Sequence, residues 1–221
     1  MNIALILVIV LSFSSASFAT KGFDLSYYQG DVSSSDFSCL KSNGYDFGII
    51  EATKGSQATL NPYISSVVSN ARKHIKNIDV YIFPDTSHSA SSLMNSFIKD
   101  LKKDGVLTNN MIWMDIEGTQ YWSGSCSNNQ KWLKEAINTI NGLYTGCGHS
   151  TCVGIYTSES QWSPIMCNTS EFSNHQLWYA HYDGKASFSD FKAFGGWTKP
   201  NMKQYQGTTN ICNTQIDKDY Y

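Results

Sequence analysis

The chain has 221 residues, 41% hydrophobic, 14% aromatic and only 15% charged, with a formal net charge of -2. That length suits one large domain or two small ones. The near-neutral balance excludes nucleic acid as the main partner, because neutralising phosphates takes a basic surface. Many aromatics and few charges suit a sizeable core, and a groove for neutral polymers such as sugars.

Residues 3–11 are continuously apolar and lead into a small-residue stretch that ends Ser17-Phe-Ala19. Small residues at Ser17 and Ala19 mark a signal-peptidase site before Thr20, although the segment carries no Lys or Arg. Residues 1–19 therefore read as a signal peptide and 20–221 as the mature domain. The apolar run is too short to span a bilayer, which takes about 20 residues. The expectation is a soluble monomer, secreted or delivered to a lysosome- or phagosome-like compartment, with no membrane partner after cleavage.

Strand-like and helix-like stretches then alternate. A short strand at 22–26 precedes a helix at 36–43 that Gly44 stops. Residues 47–53 read as a buried strand. Residues 62–76 carry apolar side chains at helical spacing, with Asn61 as cap and Pro62 at the first helical position. A strand at 78–83 ends at Pro84-Asp85, and 90–103 form a helix with Leu93, Phe97, Ile98 and Leu101 on one face. A strand at 111–116, a helix at 129–144, and strands at 153–157, 176–181 and 203–206 complete the series.

Apolar strands separated by amphipathic helices indicate a parallel sheet of β-α-β units. Closing about eight strands gives a β/α barrel, though the usual one has roughly 250 residues. The shorter chain predicts an α/β fold of one domain: an irregular, flattened β/α barrel, parallel in its N-terminal part and with fewer helices in its last third.

The six cysteines, Cys39, Cys126, Cys147, Cys152, Cys167 and Cys212, all follow the signal segment. In a secreted chain they predict three disulfides, in any of the fifteen pairings that six cysteines allow. Cys147 and Cys152 flank a Gly-His-Ser-Thr turn and suit a short loop. There is no C-x-x-C pair and no histidine at ligand spacing from another, so neither a zinc site nor any other metal or cofactor is expected. Asn168-Thr-Ser170 is a glycosylation sequon and suits a surface loop.

A β/α barrel builds its active site at the carboxyl ends of its strands. Polar residues stand at those ends: Asp24, Tyr81 with Asp85, Asp115 with Glu117, Tyr156, Trp178 with Tyr182-Asp183, Gln204, and finally Asp217. Asp115 and Glu117 are two apart in an apolar strand, so their side chains point to one side about 7 Å apart at the backbone. Two like charges buried together leave one carboxyl protonated. An acid beside an anion is what glycoside cleavage needs. Glu117, with the longer reach, is the expected acid, and Asp115 the stabilising anion.

The ordered set of motifs resembles the Chalaropsis-type lysozymes, glycoside hydrolase family 25. Gly22-Phe-Asp-Leu-Ser-Tyr-Tyr-Gln-Gly30 resembles the family's opening D-x-S-x-x-Q-G motif. Phe47-Gly-Ile-Ile-Glu-Ala-Thr-Lys-Gly55 and Tyr81-Ile-Phe83 are similar to its second and third strands. Trp113-Met-Asp-Ile-Glu117 is similar to its D-x-E strand. Gly154-Ile-Tyr-Thr-Ser158, Leu177-Trp-Tyr-Ala-His-Tyr182, Gln204-Tyr205 and Ile216-Asp217 follow in order. The resemblance implies an N-acetylmuramidase that cleaves the β-1,4 bond between N-acetylmuramic acid and N-acetylglucosamine in bacterial peptidoglycan. By motif, Glu117 is the general acid/base and Asp115 supports assistance by the substrate's N-acetyl group. Asp24 and Asp217 flank them, and Tyr81, Tyr156, Trp178, Tyr182 and Gln204 line the substrate pocket. The charges at Glu51 and Lys54 are exchanged relative to the family, which leaves both outside the expected site. Lys203 replaces an aromatic, so one glycan subsite lacks that platform. Asp219 competes with Asp217, whose inner position after Ile216 favours it. A chitinase-like hydrolase is the first alternative, but its acidic ladder is absent, Asn110 and Trp113 standing in those places. A glycan-binding barrel without catalysis is the second. No G-x-S-x-G elbow supports a serine hydrolase.

Overall fold

The computed structural model describes residues 20–122 and 124–221. The signal segment expected at 1–19 lies outside them. In chain order the elements are β1 Lys21–Leu25, α1 Ser34–Ser42, β2 Phe47–Glu51, β3 Thr53–Lys54, β4 Gln57–Leu60, α2 Ile64–Arg72, β5 Asn77–Ile82, α3 Ala90–Lys103, β6 Ile112–Asp115, α4 Cys126–Leu143, β7 Val153–Thr157, α5 Glu159–Met166, β8 Leu177–Ala180, β9 Met202–Ile211 and β10 Thr214–Tyr220. Among the described residues, eight strands close a barrel in the order β1-β10-β9-β8-β7-β6-β5-β2.

The alternation of strands and helices does build a parallel wall. β1, β2, β5, β6, β7, β8 and β9 run parallel, each hydrogen-bonded to the next. β10 then turns back, antiparallel to both β9 and β1, and closes the ring. A parallel strand needs a crossover of a dozen or more residues, whereas an antiparallel one needs only a tight turn. The hairpin thus lets a chain of this length close its barrel without another helix.

Several boundaries differ from the sequence-based expectation. α2 begins at Ile64, not Pro62. Asn61 is buried instead: its Oδ1 accepts from the Tyr63 N–H at 2.9 Å, and its amide donates to the Glu51 carbonyl at 3.0 Å. The last strand expected at 203–206 is the inner part of the ten-residue β9. The sequence pattern does not signal the β3–β4 hairpin, α5 or β10. α5 is short and carries Pro164 inside it, so the last third is poor in helix, as expected.

Side chains from the strands plug the barrel. The Trp113 indole lies across Gly154, where an added Cβ would sit 2.4 Å from the ring. Glycine on β7 is what admits the indole. The helices cover the outside with Leu40, Val67, Val68, Met94, Ile98, Leu101, Leu133 and Ile140, all buried. Disulfides join Cys39 to Cys212, Cys126 to Cys167, and Cys147 to Cys152, the last closing the short loop expected. Asn168 is exposed, as its sequon suggested. No helix among the described residues is long and apolar enough to cross a membrane.

Candidate active site

A cleft of about 660 Å3 opens at the carboxyl ends of the parallel strands, and all nine residues singled out from the sequence line it. Asp24 comes from β1, Tyr81 from β5, Asp115 from β6, Tyr156 from β7, Trp178 from β8, Gln204 from β9 and Asp217 from β10. Glu117 stands just past β6 and Tyr182 just past β8.

The turn after Glu117 fixes its direction. Gly118 has φ +69°, and a Cβ there would meet the Tyr121 ring at 2.6 Å. Its N–H donates to Gln161 Oε1 at 2.9 Å. That conformation is open to glycine and costly for other residues. It ends β6 sharply and leaves the Glu117 carboxyl facing the cleft.

Gln204 organises the floor. Its amide donates to Asp24 Oδ2 at 2.6 Å and Asp217 Oδ2 at 3.4 Å. Its Oε1 accepts from the Tyr156 hydroxyl at 2.6 Å and the Tyr182 hydroxyl at 2.8 Å. Asp217 also accepts from the Thr208 N–H at 2.5 Å. Asp219 does not reach the cleft: it is fully buried and accepts from the Trp178 indole N–H at 2.8 Å. Asp115 is buried, and its Oδ1 has no partner among the described residues. An acceptor left so inside a protein is costly unless something else supplies the donor.

Few cations offset this array. Burial, and then Glu117 and Glu51, hold the Asp115 carboxyl well above the usual carboxylate range. Burial and Asp217 raise Glu117. Burial raises Asp217, and burial with Asp217 pushes Asp24 up to about 8. The site thus holds carboxyl groups that keep protons where free carboxyls lose them.

The structure corrects one exclusion. Glu51, left outside the site because of its charge, lines the cleft. It ends β2 and points inward, accepting from the N–H groups of Tyr27 and Gly55, both at 2.9 Å, and from the Tyr81 hydroxyl at 3.1 Å. Position at a strand's carboxyl end, rather than charge type, puts it there. Lys203, by contrast, faces away from the cleft. Its fully buried ammonium donates to Asp183 at 2.9 Å, Asp190 at 2.8 Å and the Ser187 carbonyl at 3.1 Å. His181, Asp183 and Asp190 are close enough together to hold a metal ion, but the lysine supplies the positive charge there. Tyr81, Tyr156 and Trp178 are almost wholly buried and form the floor, while Tyr182, Tyr28 and Tyr121 stand exposed on the rim. Tyr28, Tyr121 and Gln161 escaped the sequence reading, since none ends a barrel strand.

Comparison with known proteins follows the same line. A family model described as lysozyme-like protein 1 matches residues 17–205. The probable GH family 25 lysozyme 5 of Dictyostelium discoideum is 38% identical, over 99% of this chain and 98% of that protein. The chain belongs to the lysozyme-like glycoside hydrolase family 25. Counting factor 50 of the same organism is 42% identical over 86% of this chain, which spans 62% of that protein's length. The family 25 lysozyme of Aspergillus fumigatus shares the fold, with a TM-score of 0.72 at 22% identity, covering 92% of this chain and 93% of that one. The irregular barrel with its antiparallel closing strand is therefore the family 25 fold.

Proposed function

We propose that the protein is a lysozyme that hydrolyses the β-1,4 bond between N-acetylmuramic acid and N-acetylglucosamine in bacterial peptidoglycan, and that residues 20–221 form its catalytic domain. One observation carries the reading most: a buried carboxyl oxygen of Asp115 lacks a partner in the same cleft where burial and Asp217 raise the pKa of Glu117. A substrate N-acetyl group supplies that partner. Its N–H binds Asp115, and its carbonyl oxygen is then turned toward the anomeric carbon. Glu117 gives its proton to the glycosidic oxygen as the C–O bond breaks, while the acetamido oxygen bonds to the anomeric carbon. Water then attacks that carbon and returns a proton to Glu117, freeing the N-acetyl group. Asp24 and Asp217 line the cleft beside the pair and flank the carbon where positive charge develops. Tyr182 offers a face for a sugar ring.

Three disulfides suit an oxidising compartment outside the cell or in a lumen, which accords with a signal peptide at 1–19. The partner is cell-wall glycan, and no metal or cofactor enters the scheme.

The test is clearing of a bacterial cell-wall suspension, with products analysed for muramic acid at the new reducing end. Wild type is expected to clear it, and Glu117→Gln to lose at least about 100-fold in rate with its circular dichroism unchanged. Equal clearing by the two removes Glu117 as the acid. Cleavage of chitin but not of wall moves the assignment to a chitinase-like hydrolase. Wall binding without turnover moves it to a glycan-binding barrel.

A further inference from the structure

Glu51 lines the cleft although it is only 2% exposed. Its Oε2 accepts from the Tyr27 N–H at 2.9 Å and the Tyr81 hydroxyl at 3.1 Å. Its Oε1 accepts from the Gly55 N–H at 2.9 Å and the Thr53 hydroxyl at 3.3 Å. A carboxylate has about four acceptor sites, so these donors fill it. We propose that Glu51 is a positioning residue. It fastens two separate rim segments, the 3-10 turn Tyr27–Gln29 and the β3–β4 turn at Gly55, to the barrel and so shapes the cleft that receives the wall. The cleft's task rests on the lysozyme reading, whereas the tie rests on the hydrogen bonds alone.

Neither segment belongs to the barrel. β3 and β4 form a two-stranded sheet of their own, and such a hairpin is marginally stable by itself. The turn Tyr27–Gln29 has three residues and no side-chain cap from Ser26. Both segments line the cleft, one with Tyr28 and Gln29, the other with Gly55 and Ser56. They meet beside it: a Cβ on Gly55 would stand 3.7 Å from the Tyr27 ring and 3.8 Å from the Tyr28 hydroxyl. β2, by contrast, is buried along its whole length between β1 and β5, and Glu51 is its last residue. One side chain on a rigid strand thus holds two loose pieces.

The chemistry of the tie calls for a carboxylate. Hydroxyls such as those of Tyr81 and Thr53 can turn and accept instead, but a backbone N–H cannot. A carboxamide has one oxygen, so it serves either Tyr27 or Gly55 and turns an amino group toward the other. An ammonium here would set donor against donor. Burial raises the Glu51 carboxyl above its ordinary value, and all four hydrogen bonds oppose that by favouring the anion. Its filled oxygens leave Glu51 no acceptor site for proton transfer. Burial and Glu117 act on Asp115 ahead of Glu51, so losing the Glu51 charge leaves the reacting pair in place.

The test is Glu51→Gln, which keeps the side chain's shape. The KM for solubilised cell wall is expected to rise about tenfold, the worth of one hydrogen bond to a charged group. The kcat is expected to stay within about threefold, the mark of lost binding rather than lost chemistry. Amide hydrogen exchange reads the tie directly. In wild type the Tyr27 and Gly55 amides are expected to exchange slowly although both lie in turns, a measurement that needs no variant to fold. In Glu51→Gln one of the two is expected to exchange at least about tenfold faster. An unchanged KM, a kcat that falls as far as KM rises, or fast exchange at both amides in wild type would each overturn the proposal. So would faster exchange throughout the barrel, which marks ordinary destabilisation. Exchange requires no turnover. A wild type that clears no wall therefore ends the lysozyme reading, while these two amides still decide the tie.

Discussion

Asp24 illustrates what a single buried residue does to the stability of this protein. Burial, and then Asp217, push its carboxyl up to about 8 from 3.8. In the folded chain it keeps its proton through a range where the unfolded chain has released it. The stability it contributes is therefore complete below about pH 4 and is lost as pH rises toward about 8. Asp115, Glu117, Asp217 and Asp219 shift in the same direction and steepen the loss. The thermal midpoint is expected to fall steadily between about pH 5 and pH 8, with a shallower fall in Asp24→Asn. A midpoint that climbs across that window in wild type contradicts the assignment. Asp24 and Glu117 were legible before any coordinates because they end apolar strands. Glu51 ends one too, yet its unexpected charge masked that position, and only its ties to Tyr27, Gly55 and Tyr81 reveal the inward direction.

At the scale of elements, the segment after β8 depends on one lysine. Lys203 alternates with Gln204 on β9, one facing the overlying segment and the other the cleft. Removing the ammonium takes the lysine from between Asp183 and Asp190 and leaves only His181 beside them. Burial opposes ionisation of Asp190, but hydrogen bonds from Lys203 and His181 outweigh it and hold that carboxyl at about 2. Lys203→Met is expected to cost about 3 kcal/mol, read from the urea midpoint. Adding Asp183→Asn and Asp190→Asn is expected to return part of it. If the single variant is as stable as wild type, the cluster is not what holds this segment. A lysine inside a strand reads from sequence as a surface residue, so this anchor was invisible there. The helices with full apolar stripes, α3 and α4, were found nearly to their ends. β4 and β10 escape the sequence reading because much of their length stands outside the barrel: β4 buries no residue and β10 only Ile216 and Asp219, which leaves no apolar alternation to read.

For the whole molecule, the three disulfides differ greatly in reach. Cys39 and Cys212 are 173 residues apart, while Cys147 and Cys152 are 5 apart. Constraint of the unfolded chain grows with loop length, so replacing the first pair by serine is expected to cost about 5 kcal/mol and the last pair about 2 kcal/mol. Chemical denaturation of the two double variants checks the order, and a reversal would place the stabilisation in local packing instead. The barrel's closure follows the same long-range logic: β10 pairs with β1, and the Thr20 N–H donates to the Tyr221 carbonyl at 2.9 Å. Asp24 and Asp217 sit opposite each other in that pairing. On the ribosome, every other wall of the cleft is made before β10 emerges. A nascent chain that already holds Glu117 and Asp115 in place still lacks one flank of its carboxyl array. On the proposed lysozyme reading, a chain truncated before β10 is expected to keep Glu117 and Asp115, lack Asp217 and clear no cell wall.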